Sequence, residues 1–348
     1  MTRVWNVKEE VSKCHQCGLC DKCCPVGISP KVMIGLYKAG EYENLINYIY
    51  DKNPFGEICG YVCPNKFCVN RCTSMRIGKG VNISGLQRHF CEDYRDMIRP
   101  NFSPFNGKTV AVVGAGIAGM TASWWLAKKG FNVELFEKED KMGGELNLIP
   151  KERLPKEVIQ RDFDRILKTG RICLHLGEAF DRVGEFETVF YCIGSKPNKL
   201  EIEGIENAIY YDEYLKQQTY KMEEVAIIGG GNVAYDCACH NLGHSTLFVR
   251  RNYWDMKIDD VDFMNLVYRH ISVVPTFTPE KIGNDMTLYG TFDGNKYSKK
   301  FDKIVIAIGR IPLLAQYEKP INVLTPADSV VETIASTIKQ LEEYYNEL

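Results

Sequence analysis

The stretch Lys108-Thr-Val-Ala-Val-Val-Gly114-Ala-Gly116-Ile-Ala-Gly119 sets the architecture of this 348-residue chain. An apolar run suited to a buried strand meets glycines spaced G-x-G-x-x-G, and a helix-forming segment, Met120 to Lys129, follows. A second apolar run, Asn132-Val-Glu-Leu-Phe-Glu137, ends in an acid about 20 residues on. Strand, glycines, helix, strand and terminal acid together form a dinucleotide-binding fingerprint. The glycines bring the backbone close to a pyrophosphate at the helix N-terminus, where free N–H groups and the helix dipole favour an anion. Glu137 suits the hydroxyls of a ribose, and Lys138 adjoins it in the same site.

The pattern recurs in Glu224-Val-Ala-Ile-Ile-Gly229-Gly-Gly231-Asn232-Val-Ala234, of the form G-x-G-x-x-A. The strand that follows, Ser245-Thr-Leu-Phe-Val249, ends in Arg250-Arg251 and not in an acid. An acid there would bind a free 2′-hydroxyl, whereas arginines suit a 2′-phosphate. The first site therefore reads as FAD and the second as NADPH. Two further strands end in glycine, Thr188 to Gly194 and Lys303 to Gly309, and resemble the elements where chains cross between the FAD and NAD(P) domains of two-dinucleotide flavoproteins. This layout inserts the NADPH domain in the FAD domain, and a C-terminal helix, Ser329 to Leu341, returns to the latter.

Upstream lies Cys14-His-Gln-Cys17-Gly-Leu-Cys20-Asp-Lys-Cys23-Cys24-Pro25. Its C-x2-C-x2-C-x3-C-P spacing is that of bacterial ferredoxins, where the fourth thiolate reaches to a second cluster. A second group, Cys59, Cys63, Cys68 and Cys72, answers that need. Ten of the fourteen cysteines lie in the first 91 residues. A disulfide scaffold suits short secreted chains better than this one, and zinc suits paired C-x2-C units better than this run. Apolar spacing such as Val32, Leu36 and Leu45, Ile49 makes this region a small helical domain, and Arg99 to Gly107 reads as a linker.

Bulk composition narrows the function classes. Net charge is −2, which gives no electrostatic case for nucleic acid or anionic membrane. No apolar run approaches the roughly 20 residues of a membrane span. The first residues lack the apolar core of a signal peptide, so a cytoplasmic location is expected. Apolar residues make up 45% of the chain, enough for ordinary cores. The fold class is α/β: a helical two-cluster domain (1–103), an FAD domain (104–205 plus 312–348) and an NADPH domain (206–311).

In its order of parts the chain resembles the small subunit of glutamate synthase and the N-terminal part of dihydropyrimidine dehydrogenase. The resemblance is carried by Asn53-Pro-Phe-Gly-Glu-Ile-Cys-Gly-Tyr-Val-Cys63-Pro, Asn82-Ile-Ser-Gly-Leu-Gln87, Met142-Gly143-Gly144, Leu148-Ile-Pro-Lys-Glu-Arg153-Leu-Pro155 and Gly229-Gly-Gly-Asn-Val-Ala-Tyr-Asp236. It implies two [4Fe–4S] clusters, one on Cys14, Cys17, Cys20 and Cys72, the other on Cys24, Cys63, Cys68 and Gln87. Spacing alone leaves Cys59 open in place of Gln87. It also implies that Met142, Gly143, Gly144 and Arg153 lie near the flavin. Cys23 and Cys91 have no ligand role and read as packing residues. Three departures stand out. The step from Cys17 to Cys20 is shorter than in those families, and so is the region between fingerprints. Where relatives carry Gly-Asp before the last helix, this chain has Thr325-Pro-Ala-Asp328.

The expected function is an oxidoreductase passing electrons from NADPH through FAD and the clusters to a partner protein or subunit. The same parts serve a ferredoxin:NADP⁺ reductase or a bifurcating subunit run in reverse. A disulfide reductase needs a dithiol, and the candidates are Cys192 and the pair Cys237 and Cys239, spaced C-x-C on a helix where residues two apart diverge. A zinc-stabilised non-enzymatic interaction protein is a further alternative.

Overall fold

The structure, a computed structural model, describes residues 6–99, 101–182, 184–217, 221–313 and 327–346. The first five residues, Thr325 and Pro326 lie outside that range. The chain divides into two compact units. One comprises residues 1–147, 151–194 and 312–348, the other 148–150 and 195–311.

The first unit begins with five helices: α1 (Val7–Ser12), α2 (Pro30–Lys38), α3 (Tyr42–Lys52), α4 (Gly56–Val62) and α5 (Ile83–Asp93). Local chemistry starts them. The Asn6 side chain accepts from Glu9 N, Ser29 Oγ from Val32 N at 3.1 Å ahead of Pro30 at the first helical position, and Asn82 Oδ1 from Gly85 N at 3.0 Å. Leu45, Ile46 and Ile49 of α3 pack with Leu86 and Phe90 of α5 in one apolar core. In α2 the buried face is Pro30, Met33 and Ile34, while Val32 is exposed. The Val32–Leu36 spacing thus misjudges this helix by about one position, since both i+3 and i+4 neighbours share a face.

The chain continues in β1 (Thr109–Val113), α6 (Ile117–Lys128), β2 (Asn132–Glu137), α7 (Lys156–Leu167), β3 (Ile172–Leu176) and β4 (Val189–Tyr191). The four strands form a parallel sheet of order β3-β2-β1-β4. Helix α6 starts at Ile117, three residues earlier than expected, because Gly116 takes the extended N-cap conformation. The segment after Asn101 has no regular structure but is tied down: Ser103 N donates to Lys128 O and Asn106 N to Gly130 O, each at 3.0 Å.

The helical segment packs on α7 through buried polar groups. Asp162, 1% exposed, accepts from Ile58 N at 2.9 Å, Tyr50 OH at 3.1 Å and Arg165 Nη2 at 2.6 Å. Arg161 pairs with the buried Glu57, and the Arg165 guanidinium lies 3.7 Å from the Tyr50 ring centre. Burial pushes the Asp162 carboxyl above its ordinary range, against the pull of Arg165.

The second unit holds β5 (Ser195–Pro197), β6 (Ile209–Tyr210), α8 (Tyr211–Tyr214), β7 (Val225–Ile228), α9 (Asn232–His240), β8 (Ser245–Phe248), α10 (Asp260–Tyr268), β9 (Ser272–Val274) and the antiparallel β10 (Phe277–Ile282), β11 (Thr287–Phe292) and β12 (Asn295–Lys300). After β13 (Lys303–Ile306), β14 (Arg310–Pro312) leads out of the unit. Its main sheet is parallel, of order β6-β13-β7-β8-β9. The last helix, α11 (Val330–Asn346), belongs to the first unit. It runs further than the expected Leu341 and opens on an N-cap in which Ser329 Oγ accepts from Glu332 N and donates to Glu332 Oε2 at 2.6 Å.

Candidate functional site

The first glycine loop follows β1 directly. Gly114 has φ +102°, and a Cβ there would lie 2.4 Å from Cys192 O; a Cβ on Gly119 would lie 1.7 Å from Gly114 O. These two positions are glycine because the backbone packs against itself. At Gly116 a Cβ would meet nothing within 4 Å, so the space beside it is open. No side chain caps α6, and its first turn carries no acid. Its leading N–H groups are therefore left for an anion. Glu137, buried at the end of β2, accepts from Ala115 N at 2.7 Å and Glu139 N at 3.0 Å, which sets its carboxylate against the loop. Each oxygen keeps a further acceptor site. Lys138 is exposed.

The Met142–Gly144 segment lies against this loop. Gly143 N donates to Ala115 O at 2.9 Å, and a Cβ on Gly144 would be 3.4 Å from the Gly116 Cα. Gly194, φ +81°, accepts from Leu313 N at 2.9 Å. Arg153 is half-buried in the turn before α7, and Asp328 is exposed just before α11. The open cradle, uncapped helix and Glu137 fit a flavin dinucleotide.

The second loop repeats the plan inside the other unit. A Cβ on Gly229 would come 2.2 Å from Ala307 O and one on Gly230 2.6 Å from Val249, whereas at Gly231 the nearest atom is Lys257 O at 3.8 Å. Ala234 packs against Gly229 where the first loop has Gly119. Asn232 Oδ1 accepts from Asp259 N at 3.1 Å, and Lys257 N donates to Gly230 O, fixing the loop's flank. Arg250 and Arg251 are exposed directly after Val249. Gly309, φ +104°, accepts from Asn198 N at 2.9 Å. This cradle fits a pyridine nucleotide.

Two cavities in the helical segment gather its cysteines. The first is lined by Cys14, Cys17, Cys20 and Cys72. The second is lined by Cys24, Cys63 and Cys68, with Cys59 and Gln87 also on its wall. Burial and the neighbouring Asp21 push the Cys20 thiol up to about 12, and burial does the same to Cys68 and Cys59. Cys24 is raised for the same reason. Exposed Cys17 goes the other way, helped by the Leu19 N–H and the Thr73 hydroxyl. Buried thiols of this kind become ligands only when iron supplies the charge that offsets the lost proton. Gln87 Nε2 donates to Gly56 O at 2.8 Å, which identifies Oε1 as its acceptor end. The donor sets fit iron–sulfur clusters.

Cys23 lines neither cavity and is only half-buried, its Sγ directed at Leu19 O. Cys91 is a core residue whose Sγ lies against Gly56, as does the Tyr50 ring. No two of the cysteines are joined in a disulfide. Cys192 and Cys237 are buried with thiols pushed well up by desolvation, the opposite of a reactive dithiol. Apart from Gln87, sequence reasoning named no non-cysteine wall residue and missed Thr73 and Lys31 at the first cavity and Val331 of α11 at the second. Thr73 adjoins a proposed ligand, but nothing local marks Val331. Among the described residues no helix is long and apolar enough to cross a membrane.

Two glycine cradles on parallel sheets, joined to cysteine-lined cavities, define an iron–sulfur oxidoreductase that uses flavin and pyridine nucleotide. Residues 108–331 match the pyridine nucleotide-disulphide oxidoreductase family, and the chain belongs to it. Residues 2–98 match the dihydropyrimidine dehydrogenase domain II, 4Fe–4S cluster. Among curated relatives, the NAD-dependent dihydropyrimidine dehydrogenase subunit PreT of Escherichia coli K12 is 28% identical over 91% of this chain and 83% of its own. The NADPH-Fe(3+) oxidoreductase subunit beta of Geobacter sulfurreducens is 30% identical over 68% of this chain and 39% of its own. Of solved structures, a 2-naphthoyl-CoA reductase complex aligns with TM-score 0.60 at 21% identity, over 75% of this chain and 44% of its own. Thioredoxin reductase of T. acidophilum aligns at 0.55 and 17%, over 69% and 99%. At these identities the two structures establish the fold alone.

Proposed function

We propose that this chain is the electron-input subunit of a larger enzyme: it takes reducing equivalents from NADPH, holds FAD and two [4Fe–4S] clusters, and delivers electrons to a separate protein. The observation that carries this reading is the presence, in one compact unit, of the first glycine cradle and both cysteine-lined cavities. Bound flavin supplies the chemistry that nicotinamide lacks, splitting a two-electron donation into single electrons that clusters accept.

The chain's own residues bind and orient. Gly114, Gly116 and Gly119 bring backbone N–H groups to the FAD pyrophosphate, and Glu137 accepts from its ribose. Lys138, Gly143, Gly144, Arg153, Gly194 and Asp328 complete that site. Gly229, Gly231, Asn232 and Ala234 do the same for NADPH, with Arg250 and Arg251 on the 2′-phosphate and Gly309 behind the loop. Cys14, Cys17, Cys20 and Cys72 hold the first cluster. Cys24, Cys63 and Cys68 hold the second, with Gln87 Oε1 as the fourth ligand and Cys59 as the competing thiol. No residue need act as general acid or base in a hydride transfer. The relatives named as subunits support a protein acceptor for the electrons.

An anaerobic visible spectrum with iron and sulfide assay, followed by stoichiometric NADPH or NADH, tests the proposal. Flavin bands, about eight irons per chain and bleaching by NADPH in preference to NADH are expected. A flavoprotein with four irons or fewer would overturn the two-cluster assignment. Equal bleaching by NADH would overturn the role of the arginines.

A further inference from the structure

Strand β3 is an edge strand of the first parallel sheet. Its residues Cys173 and His175 alternate onto one face, and the register sets Cys173 opposite Glu134 and His175 opposite Phe136 on β2. The thiol, an imidazole nitrogen and a carboxylate oxygen of Cys173, His175 and Glu134 all lie within 4.8 Å of one another. We propose that these three residues bind one borderline divalent cation of the zinc class, in a site separate from both nucleotide cradles and both cysteine-lined cavities.

Three features make this a built site. The imidazole is held: its ring stacks on Phe136 at 4.5 Å between centres and 10° between planes. Its Nδ1 faces Glu178 Oε2 at 3.6 Å, and Glu178 is itself held by Arg182 at 2.6 Å. A carboxylate behind one ring nitrogen, turning the other outward, is the usual support for a metal-binding histidine. The outward Nε2 lies 2.6 Å from Glu134 Oε2, a hydrogen bond that cation binding would replace as the two donors part. The donor set is one sulfur, one nitrogen and one oxygen, which suits zinc better than calcium or magnesium. Cys173 is exposed while His175 and Glu134 are partly buried, so the cation has an entry path and water can fill a fourth position. Binding exchanges the Cys173 thiol proton for the metal and involves no redox change.

The test uses the anaerobic holoprotein, loaded with Zn²⁺ against a chromophoric chelator and followed by zinc K-edge X-ray absorption, which clusters do not obscure. One zinc per chain is expected, with a single sulfur at about 2.3 Å and nitrogen or oxygen neighbours at about 2.0–2.2 Å. Cys173→Ser and His175→Ala should each weaken binding tenfold or more, with iron and flavin contents unchanged. Because Cys173 is exposed, its serine variant tests the site without disturbing the core. Glu178→Gln should weaken binding while leaving the ligand shell as in the parent. Zinc bound equally by parent and both ligand variants, or a shell made only of sulfur, overturns the proposal, since the metal would then sit elsewhere.

Discussion

The two glycines Gly116 and Gly119 stand three residues apart, yet alanine should act on them differently. At Gly119 the added methyl would sit 1.7 Å from Gly114 O, a backbone atom. Real contacts stay above about 3 Å, so helix and loop must separate by over 1 Å; overpacking of this kind costs about 1–3 kcal/mol of stability. At Gly116 the methyl meets no protein atom within 4 Å, and the backbone (φ −82°, ψ −170°) suits any residue. Alanine is a poorer N-cap than glycine by less than about 1 kcal/mol, and the stiffer unfolded chain returns about 0.4–1 kcal/mol. Stability should therefore be nearly unchanged. The methyl nevertheless occupies the approach of the pyrophosphate. Losing one charge-assisted hydrogen bond, about 1.5–3 kcal/mol, weakens FAD by roughly 10- to 150-fold. The assay pairs thermal denaturation of the flavin-stripped proteins with FAD titration followed by flavin fluorescence. Gly119→Ala should lower both the midpoint and the affinity, and Gly116→Ala the affinity alone. A Gly116→Ala protein that binds FAD as the parent does would refute the reading of that open space as the pyrophosphate cradle.

Replacing Arg250 and Arg251 with alanine should cut kcat/KM for NADPH by roughly 10- to 100-fold and leave that for NADH nearly unchanged, measured by steady-state reduction of an artificial acceptor. Asp162→Ala strands Arg165 in the interior and leaves Ile58 N–H unpaired; a loss of about 3–5 kcal/mol is expected, read as a large fall in the thermal midpoint, with Asp162→Asn much milder. Gln87→Ala and Cys59→Ala separate the two candidate ligands of the second cavity. Iron content and the electron paramagnetic resonance signal of the reduced protein should change in the first and persist in the second.

Much of this protein was legible because its main signals are local. Each glycine loop lies within a dozen residues, and strand, turn and helix are specified by neighbours in sequence. The helical character of the N-terminal segment was legible too, although α2 turned Met33 and Ile34 inward in place of Val32. A one-residue ambiguity in helix phase is resolved only by what the helix packs against. The linker reading of Arg99–Gly107 missed its hydrogen bonds to the end of α6, since composition reports backbone freedom and not the partners a segment finds.

By itself, then, the sequence determined the class: two dinucleotide folds, a cysteine-rich segment and a charge balance that favours no polyanion. Spacing could not say which thiols share a cavity, because a loop between Cys24 and Cys63 can close in many ways. The resemblance grouped Cys72 with the first run, and the fold lines the first cavity with those four cysteines. Tertiary structure alone brought Val331 to the second cavity, buried Asp162 against α4, and set Glu134 beside Cys173 and His175 across two strands. Each of these is a contact between residues 39 or more apart in sequence. Such contacts follow from burial and strand register, which act through space and leave no periodicity along the chain.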